Sequence, residues 1–280
     1  MNLVLQGPAL DVPFVEHVST LVRPSAVEPI AEHAFRLRGS AESALNASVA
    51  ALCEQRHIDH AWMPEGRRFA DLKLLAMDMD STLITIECID ELGDLAGRKA
   101  EVAQITAAAM RGEIADYAES LRRRVALLDG LTENSLQTIY QERLRLTPGA
   151  EKLIAACKAS GVKLLLVSGG FTFFTERLRQ RLGIDYVFSN RLEISNGRLT
   201  GRLVGDIVGA EAKAAKFQTV SNELSARKDQ TVAIGDGAND LKMMALAGTS
   251  VAFHAKPVVR AQATCAITWS GLDGVINIFE

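Results

Sequence analysis

The 280-residue sequence lacks any apolar run long enough to cross a membrane. Its hydrophobic stretches have the length of β-strands and fall short of the roughly 20 residues that span a bilayer. The N-terminus also lacks a charged region followed by an apolar segment and a cleavage site. We therefore expect neither membrane insertion nor secretion, and we predict a cytoplasmic protein.

The chain also lacks an excess of either charge. Lys and Arg number 31 against 34 Asp and Glu, which gives a formal net charge of −3. Aromatic residues make up 5% of the chain, and no basic stripe interleaved with aromatics is present. We therefore expect no nucleic acid partner and favour a small, mostly polar substrate.

Closely spaced cysteines are missing as well. The chain has four widely separated cysteines with no CxxC pair, at Cys53, Cys88, Cys157 and Cys265. Disulfide frameworks and structural zinc sites depend on paired or closely spaced thiols. We therefore predict reduced, buried cysteines.

Residues 1–70 differ in pattern from the rest of the chain. Short apolar stretches near Val4, at 33–37 and at 57–63 alternate with helices predicted at 14–21 and from Ser40 to Glu54. The resulting β-α-β-α-β order predicts a small α/β module. Modules of this kind serve in dimerisation or ligand sensing, so a homodimer is a candidate assembly.

A metal site is an alternative interpretation for the end of this module. Cys53, His57 and His60 lie close together in sequence, but no fourth ligand is evident, which favours packing or surface roles. The Pro and Gly of residues 64–68 then indicate a linker.

Two aspartates at a strand end organise the remainder of the chain. Residues 72–77 predict a buried strand, and Asp78 and Asp80 follow it two positions apart. Because side chains two apart in a strand share a face, both carboxylates should project from its carboxyl end. Such a pair repels unless a cation separates the charges or the pKa values diverge, which predicts a divalent metal or an acid/base pair. The simpler alternative is a turn in which Asp80 caps a helix.

A helical segment separates this motif from the next strand. Helices are predicted at 89–96, 99–110, 114–127 and 132–143. An all-helical insert directly after a catalytic strand is expected to form a cap that excludes water and contacts the substrate.

The next strand ends in a pattern that favours phosphate. After a predicted helix at 150–160, the apolar run 162–167 ends in Ser168, Gly169 and Gly170. A hydroxyl and two glycines at a strand end let backbone N–H groups approach an anion. The alternative is an ordinary strand-to-helix turn.

A lysine and a second acidic strand end complete the pattern. Lys213 lies near the start of a predicted helix, where by itself it would be a solvated surface lysine. The apolar strand 231–234 then delivers Asp236 between two glycines, and Asn239 and Asp240 open a helix. Chance seldom places all of these motifs at strand ends in this order.

The order of the motifs resembles the haloacid dehalogenase (HAD) superfamily of phosphohydrolases and, within it, the phosphoserine phosphatases. The resemblance covers residues from about Leu74 to Phe279. It implies an α/β fold with a Rossmann-like core and a parallel sheet in residues 71–86 and 147–280. A helical cap would occupy residues 87–146, and the small α/β module residues 1–70.

The resemblance also implies a reaction, the Mg²⁺-dependent hydrolysis of O-phosphoserine through an aspartyl-phosphate, which is the last step of serine biosynthesis. Asp78 would be the nucleophile, and Asp80 the general acid and base. The carboxylates of Asp78 and Asp236 and the backbone carbonyl of Asp80 would hold the Mg²⁺ ion.

Substrate contacts are implied in the same way. Ser168, the N–H of Gly169 and Lys213 would surround the phosphoryl oxygens. Asp240 would position Lys213, and Asn239 would lie close to the metal or the substrate.

The insert would contact the serine part of the substrate. Glu87 would receive the ammonium and Arg124 the carboxylate, whereas the alternative is an ordinary helical salt bridge on the cap surface. Met110 and Tyr117 would line the pocket beside the phosphate, and Gly170 would complete the phosphate turn.

Two further functions remain open at this point. One is a phosphatase or phosphotransferase of the same superfamily that acts on another small phosphomonoester, which a substrate panel would distinguish. The other is a non-enzymatic, receiver-like domain in which Asp78 carries a phosphoryl signal. The presence of Asp80 and of a large cap argues against the receiver-like domain.

Overall fold

The N-terminal module consists of four strands and two helices in the computed structural model, which describes residues 1–40 and 46–280. Its elements are β1 (Asn2–Gln6), α1 (Val12–Val22), β2 (Ala26–Ala31), β3 (Ala34–Arg38), α2 (Asn46–Gln55) and β4 (Asp59–Met63). The strands form an antiparallel sheet in the order β2-β3-β1-β4. An apolar cluster that includes Leu3, Phe14, Val18 and Val49 packs the two helices against this sheet.

The sequence pattern missed β2, so the predicted β-α-β-α-β order was wrong and the module is β-α-β-β-α-β. This strand lies at the sheet edge, its side chains are largely exposed, and its pairing is irregular between Pro29 and Ala31. An edge strand with a proline lacks the alternating burial on which strand prediction depends. The first predicted turn of the second helix, residues 41–45, lies outside the described residues. The Ser40 hydroxyl, predicted to cap that helix, donates to the carbonyl of Leu37.

The cysteines are free and buried, as predicted, and all four lie within the described residues. Burial raises the pKa of the Cys53 and Cys157 thiols to about 12. Within residues 1–40 and 46–280, Cys53, His57 and His60 form no group able to hold a metal ion. No helix in the same residues is long and apolar enough to cross a bilayer.

The larger sheet contains the strands that the motifs predicted, although the one predicted at 162–167 continues through Ser168–Gly170 to Phe171. Its strands are β5 (Leu74–Met77), β6 (Lys163–Phe171), β7 (Tyr186–Ser195), β8 (Arg198–Val204), β9 (Thr231–Gly235), β10 (Thr249–Phe253) and β11 (Cys265–Ile267). Their order is β11-β10-β9-β5-β6-β7-β8, and every pair is parallel except the β7–β8 hairpin. The carboxyl ends of β5, β6 and β9 therefore meet at one edge, where open α/β sheets bind ligands.

Both faces of β5 are covered, which explains its uninterrupted apolar sequence. Leu75 and Met77 belong to one apolar cluster, and Leu74 and Ala76 belong to another. Strands of parallel sheets are typically buried on both faces. Packing on both faces therefore holds β5 in position, and with it Asp78, which directly follows the strand.

Four helices form the insert between β5 and β6. They are α3 (Cys88–Leu95), α4 (Lys99–Met110), α5 (Tyr117–Ala126) and α6 (Glu133–Thr138). The prediction of four helices is confirmed, and the last one continues beyond α6 as a π-helical segment, Ile139–Arg143. An antiparallel bridge between Ile84 and Leu146 joins the two ends of the insert.

The remaining helices flank the larger sheet. They are α7 (Ala150–Ala159), α8 (Thr172–Leu182), α9 (Ala210–Glu223), α10 (Leu241–Leu246), α11 (Pro257–Arg260) and α12 (Gly274–Asn277). The helices predicted at 150–160 and around Lys213 correspond to α7 and α9.

A buried carboxylate fastens the N-terminal module to the rest of the chain. Asp59, at the start of β4, is 4% exposed and accepts hydrogen bonds from the backbone N–H groups of Thr268, Trp269 and Ser270 at 2.6–3.1 Å. The ring of His57 stacks on Trp269 at 4.2 Å. The module is thus docked on the segment that follows β11.

The last residues of the sequence are held in the same way. The Arg36 guanidinium donates to the carbonyls of Asn277 and Phe279. Asn2 Nδ2 donates to Glu280 Oε1 at 2.7 Å, across 278 positions of sequence. These contacts join the two ends of the chain, while the dimerisation role of the module stays a prediction.

Candidate active site

A cavity of about 640 Å³ lies where the carboxyl ends of β5, β6 and β9 face the insert. Its volume suits a small ligand. The predicted site residues that line it from the sheet side are Asp78, Asp80, Ser168, Gly169, Gly170, Asp236 and Asn239. Those that line it from the insert are Glu87, Met110, Tyr117 and Arg124. Lys213 and Asp240 lie behind this wall and are fully buried.

Asp78 is held firmly at the floor of the cavity. It follows the last residue of β5 and is 5% exposed. Its Oδ1 accepts from the N–H of Met79 at 2.6 Å, and its Oδ2 accepts from Lys213 Nζ at 2.6 Å. Both oxygens keep a further lone pair, so the carboxylate is fixed in orientation without losing its capacity to attack or to bind a cation.

Asp80 reaches the cavity for a different reason than the one predicted. The strand ends at Met77, so strand alternation does not set the direction of Asp80. An irregular turn over Met79–Leu83, with Ser81 at φ 55°, directs it instead. Its Oδ1 accepts from the N–H of Cys88, the first residue of α3, at 3.0 Å. Asp80 therefore lines the cavity and also accepts from the first N–H group of α3, while its acid/base role stays a prediction.

The protonation of Asp80 suits an acid/base role. Burial, followed by the charge of Asp78, raises the pKa of Asp80 to about 7. A carboxyl group with a pKa near neutrality can donate a proton in one step and accept one in the next.

The phosphate turn uses one of its own N–H groups. The N–H of Gly170 donates to Ser168 Oγ at 2.9 Å within the turn, and the predicted phosphate donor is the N–H of Gly169. A Cβ atom on Gly169 would lie 2.1 Å from the Tyr117 hydroxyl, and one on Gly170 would lie 2.5 Å from Asp80 Oδ2. A side chain at either position would therefore displace a neighbouring site residue.

Lys213 is not a surface lysine. Its side chain is fully buried, and Nζ donates to Asp78 Oδ2 at 2.6 Å and to Asp240 Oδ1 at 2.8 Å. Burial alone would lower the pKa of Lys213, but Asp240 and Asp78 raise it well above its ordinary value. The ammonium group is therefore charged beside the predicted nucleophile. Asp240 Oδ2 also accepts from the N–H of Gly237 at 3.2 Å, which fixes the carboxylate that holds Lys213.

The carboxylates around Asp78 can hold a metal ion. Oxygen atoms of Asp78, Asp236 and Asp240 lie within 4.8 Å of one another. Asp78 and Asp236 line the cavity, whereas Asp240 lies behind its wall, which makes Asp78 and Asp236 the better ligand pair. Burial, followed by the charge of Asp78, raises the pKa of Asp236 to about 7. Carboxylates that crowd one another in this way are stabilised by a hard divalent cation between them.

Glu87 and Arg124 face the cavity from the insert. Ser81 Oγ donates to Glu87 Oε1 at 2.7 Å. The Glu87 side chain is exposed in the cavity. Desolvation by the protein around it, and to a lesser extent the charge of Asp80, raise the pKa of Glu87 to about 7. Within the described ranges no ion pair joins Glu87 to Arg124, which contradicts the alternative of an ordinary helical salt bridge.

Helix geometry separates three consecutive arginines on α5, Arg122, Arg123 and Arg124. Arg124 is half-buried and lines the cavity, whereas Arg122 and Arg123 are exposed. Arg123 pairs with Glu119 at 2.7 Å on the outer face of α5. The sequence reasoning missed Asp90, which lines the cavity near Arg124 and lies three residues after Glu87 on α3. That spacing places residues on one helix face and was the available signal.

Met110 and Tyr117 both line the cavity. Met110 is 64% exposed, and Lys256 Nζ approaches its Sδ at 3.7 Å, while its place beside the phosphate stays a prediction. Tyr117 lies beside the phosphate turn, against Gly169 and Gly209. Burial raises the pKa of Tyr117 to about 12, so its phenol stays neutral.

Comparisons with known proteins agree with this geometry. Residues 75–245 match the model of the haloacid dehalogenase-like hydrolases. A phosphoserine phosphatase of Polaromonas sp. strain JS666 is 58% identical over 217 residues, which cover 76% of this chain and 92% of that protein. The unliganded crystal structure of a probable phosphoserine phosphatase from Vibrio cholerae covers 99% of this chain and 86% of its own, with a TM-score of 0.85 and 37% identity. A phospho-aspartyl intermediate analogue of phosphoserine phosphatase covers 75% of this chain and 99% of its own, with a TM-score of 0.70 and 36% identity.

Proposed function

Because the chain belongs to the family of haloacid dehalogenase-like hydrolases, we propose that its cavity hydrolyses O-phosphoserine to serine and phosphate. One feature of the cavity carries the proposal. Asp78 at the floor of the cavity, and Lys213 paired with it from behind, suit a phosphoryl group. Glu87 and Arg124 face the cavity from the insert and are not paired to each other. Those two side chains match the ammonium and carboxylate that distinguish phosphoserine from simpler esters.

In the first step, a carboxylate oxygen of Asp78 attacks phosphorus and the bond from phosphorus to the serine oxygen breaks. Asp80, protonated in part near neutral pH, gives its proton to the departing serine oxygen. The products are serine and an aspartyl-phosphate on Asp78. A phospho-aspartyl intermediate analogue has been solved for a phosphoserine phosphatase of 36% identity, which supports this step.

In the second step, water attacks the phosphorus of the aspartyl-phosphate. Asp80, now deprotonated, accepts a proton from this water, and the bond from phosphorus to Asp78 breaks. Phosphate leaves, and both carboxyl groups return to their initial state. One side chain therefore serves as acid and then as base, which its pKa near 7 permits.

Three groups of this chain would stabilise the negative charge on the phosphoryl oxygens. They are the ammonium of Lys213, the hydroxyl of Ser168 and the N–H of Gly169. Preorganised donors of this kind contribute about 10²–10³ in kcat each when measured by removal. Asn239 lines the cavity beside Asp236 and would contact the metal or the substrate.

Mg²⁺ is the proposed ion for the carboxylate pair. The carboxylates of Asp78 and Asp236 and the backbone carbonyl of Asp80 would hold it, since oxygen ligands suit this hard cation. When bound, it offsets the repulsion between an anionic nucleophile and an anionic ester. We also propose that this reaction serves serine biosynthesis and takes place in the cytoplasm.

Removal of the metal gives a direct test. Treatment with a chelator is expected to abolish phosphate release, and added Mg²⁺ to restore it. Mg²⁺ should also raise the melting temperature, because a ligand that binds the folded state stabilises it. Asp236→Asn should lose both responses, whereas full activity in excess chelator would contradict the assignment.

The substrate assignment is tested by comparing two esters. Glu87→Gln and Arg124→Ala are expected to lower kcat/KM for phosphoserine by about 30- to several-thousandfold, the effect of truncating one partner of a buried charge pair. Hydrolysis of an aryl phosphate, which lacks both charged groups, should change only a few-fold. Initial rates of phosphate release over a panel of sugar, nucleotide and amino-acid phosphates provide the measurement.

Arg123→Ala is the matched control for Arg124→Ala. Arg123 lies on the same helix, is exposed and pairs with Glu119, so its removal should leave both rates unchanged. Equal losses on both esters for Glu87→Gln and Arg124→Ala would mean that these residues support the insert or the chemistry rather than bind serine. The protein would then be assigned only as a phosphatase of this family whose substrate is unidentified.

A further inference from the structure

A buried amide links the two segments that carry the phosphate ligands. Asn190, in β7, is 2% exposed. Its Nδ2 donates to the carbonyl of Gly169 at 2.7 Å, and its Oδ1 accepts from the N–H of Val208 at 2.8 Å. These partners lie 21 and 18 positions away in sequence, on either side of Asn190. One side chain thus joins β6 to the loop before α9.

The first contact compensates for a defect in the sheet. Val167 pairs with Phe188 and Phe171 pairs with Asn190, so four steps along β6 match two steps along β7. The two extra residues displace the Ser168–Gly170 segment from the ladder, and the carbonyl of Gly169 has no strand partner there. A buried carbonyl needs a donor, and the Asn190 amide supplies it.

The second contact fixes the start of α9. Val208 directly precedes Gly209, whose carbonyl accepts from the N–H of Lys213 at 2.9 Å in the first turn of the helix. Lys213 then extends to Asp78 and Asp240. The position of the Val208 N–H therefore sets the position from which Lys213 reaches the cavity floor.

Tyr117 packs against the same two segments from the insert. A Cβ atom on Gly169 would lie 2.1 Å from its hydroxyl, and one on Gly209 would lie 3.2 Å from its Cδ1. The Gly169 turn and the start of α9 are thus adjacent, with the tyrosine ring on one side and the Asn190 amide bonded to both.

We propose that Asn190 is a positioning residue that sets the spacing between the Gly169 N–H and the Lys213 ammonium, so that both meet the same phosphoryl group. This inference rests on the proposed function. The role requires one neutral group with a donor and an acceptor side by side, which the amide of asparagine provides. Aspartate has the same shape, but its ionised form would place an oxygen without a proton against the Gly169 carbonyl.

The test compares Asn190→Asp and Asn190→Ala with the unchanged protein on phosphoserine and on an aryl phosphate. Small misplacement of catalytic groups costs on the order of 10²-fold in rate. We expect kcat to fall about 10- to 100-fold on both esters alike. KM for phosphoserine should change only a few-fold, because Glu87 and Arg124 still contact its serine part. Inhibition by inorganic phosphate should weaken in parallel with kcat.

Asn277→Asp is the matched control. Asn277 also uses a partly buried side-chain amide, which donates to Gln6 Oε1 at 2.8 Å, but it lies away from the cavity lining. Its substitution should lower the melting temperature without changing kcat. If the Asn190 variants lower the melting temperature while kcat per folded molecule and phosphate inhibition stay unchanged, the positioning role is overturned.

Hydrogen exchange of the unchanged protein gives a second measurement that does not depend on folded variants. The N–H of Val208 should exchange slowly, and inorganic phosphate should slow it further because the ligand holds both segments together. An exchange rate that phosphate leaves unchanged would overturn the proposal. Should the unchanged protein hydrolyse another phosphate ester and not phosphoserine, the substrate assignment fails, and the Asn190 effect is then measured on that ester.

Discussion

Asp78→Asn removes turnover of every phosphate ester, with an expected loss of about 10⁴- to 10⁶-fold, the range seen when members of a catalytic triad are removed. The amide keeps the size of the carboxylate and still accepts from Lys213 through its oxygen, but it does not attack phosphorus. Phosphate release under saturating substrate measures the loss. Mass spectrometry of acid-quenched protein should find a phosphorylated aspartate in the unchanged chain and none in the variant.

Asp80→Asn separates proton transfer from attack. Serine is a poor leaving group and needs the proton that Asp80 supplies, whereas an aryl phosphate leaves with little help. The expected result is a large loss with phosphoserine and a clearly smaller one with the aryl ester. Equal losses of rate on the two esters would contradict the assignment of Asp80 as the general acid and base.

Lys213→Met has the second largest expected effect, because it acts on stability and catalysis together. The ammonium is fully buried between Asp78 and Asp240. Removing one partner of a buried ion pair typically costs about 3–5 kcal/mol of unfolding free energy. Loss of a charge that stabilises the phosphoryl group lowers kcat by a further 10²- to 10³-fold, in round figures. Urea unfolding and kcat on both esters measure the two effects separately.

The reason for the instability can be checked by a second substitution. Adding Asp240→Asn to Lys213→Met removes one uncompensated buried charge, so part of the lost stability should return while activity stays absent. Lys216→Met is the control, since Lys216 is exposed one turn further along α9. A Lys213→Met variant as stable as the unchanged protein would show that the ammonium is not essential to the folded core.

The sequence predicted the strand ends well because their signals are local. Residues 74–77 and 232–234 are apolar runs buried on both faces, and the acidic or glycine residues that follow mark where each strand stops. The edge strand β2 has no such run, and Pro29 weakens its pattern, so it was missed. The turn that directs Asp80 was also unpredicted, because it depends on the left-handed conformation of Ser81 rather than on alternation.

Contacts between side chains and distant backbone groups left no trace in the sequence. Asn190 bonds to the backbone carbonyl of Gly169 and the backbone N–H of Val208. Almost every residue type has both groups, so the residue types at 169 and 208 do not indicate that Asn190 is their partner. Asp59 bonds in the same way to three successive N–H groups. Lys213 differs, since its burial follows from two acidic residues that were themselves visible as motifs. The roles of Glu87 and Arg124 in binding serine stay predictions.

The contacts between the two ends of the chain impose an order on folding during synthesis. The N-terminal module leaves the ribosome before residues 277–280, to which Arg36 and Asn2 donate hydrogen bonds, have been made. Val4 and Met63 belong to the same apolar cluster as Ile278 and Phe279, so the docking face of the module is uncovered while the sheet and insert are made. Domains generally fold as they emerge, and exposed apolar surface favours aggregation. The nascent chain therefore exposes an apolar surface until residues 277–280 emerge, and a ribosome stalled before residue 277 would leave that surface open to chaperones.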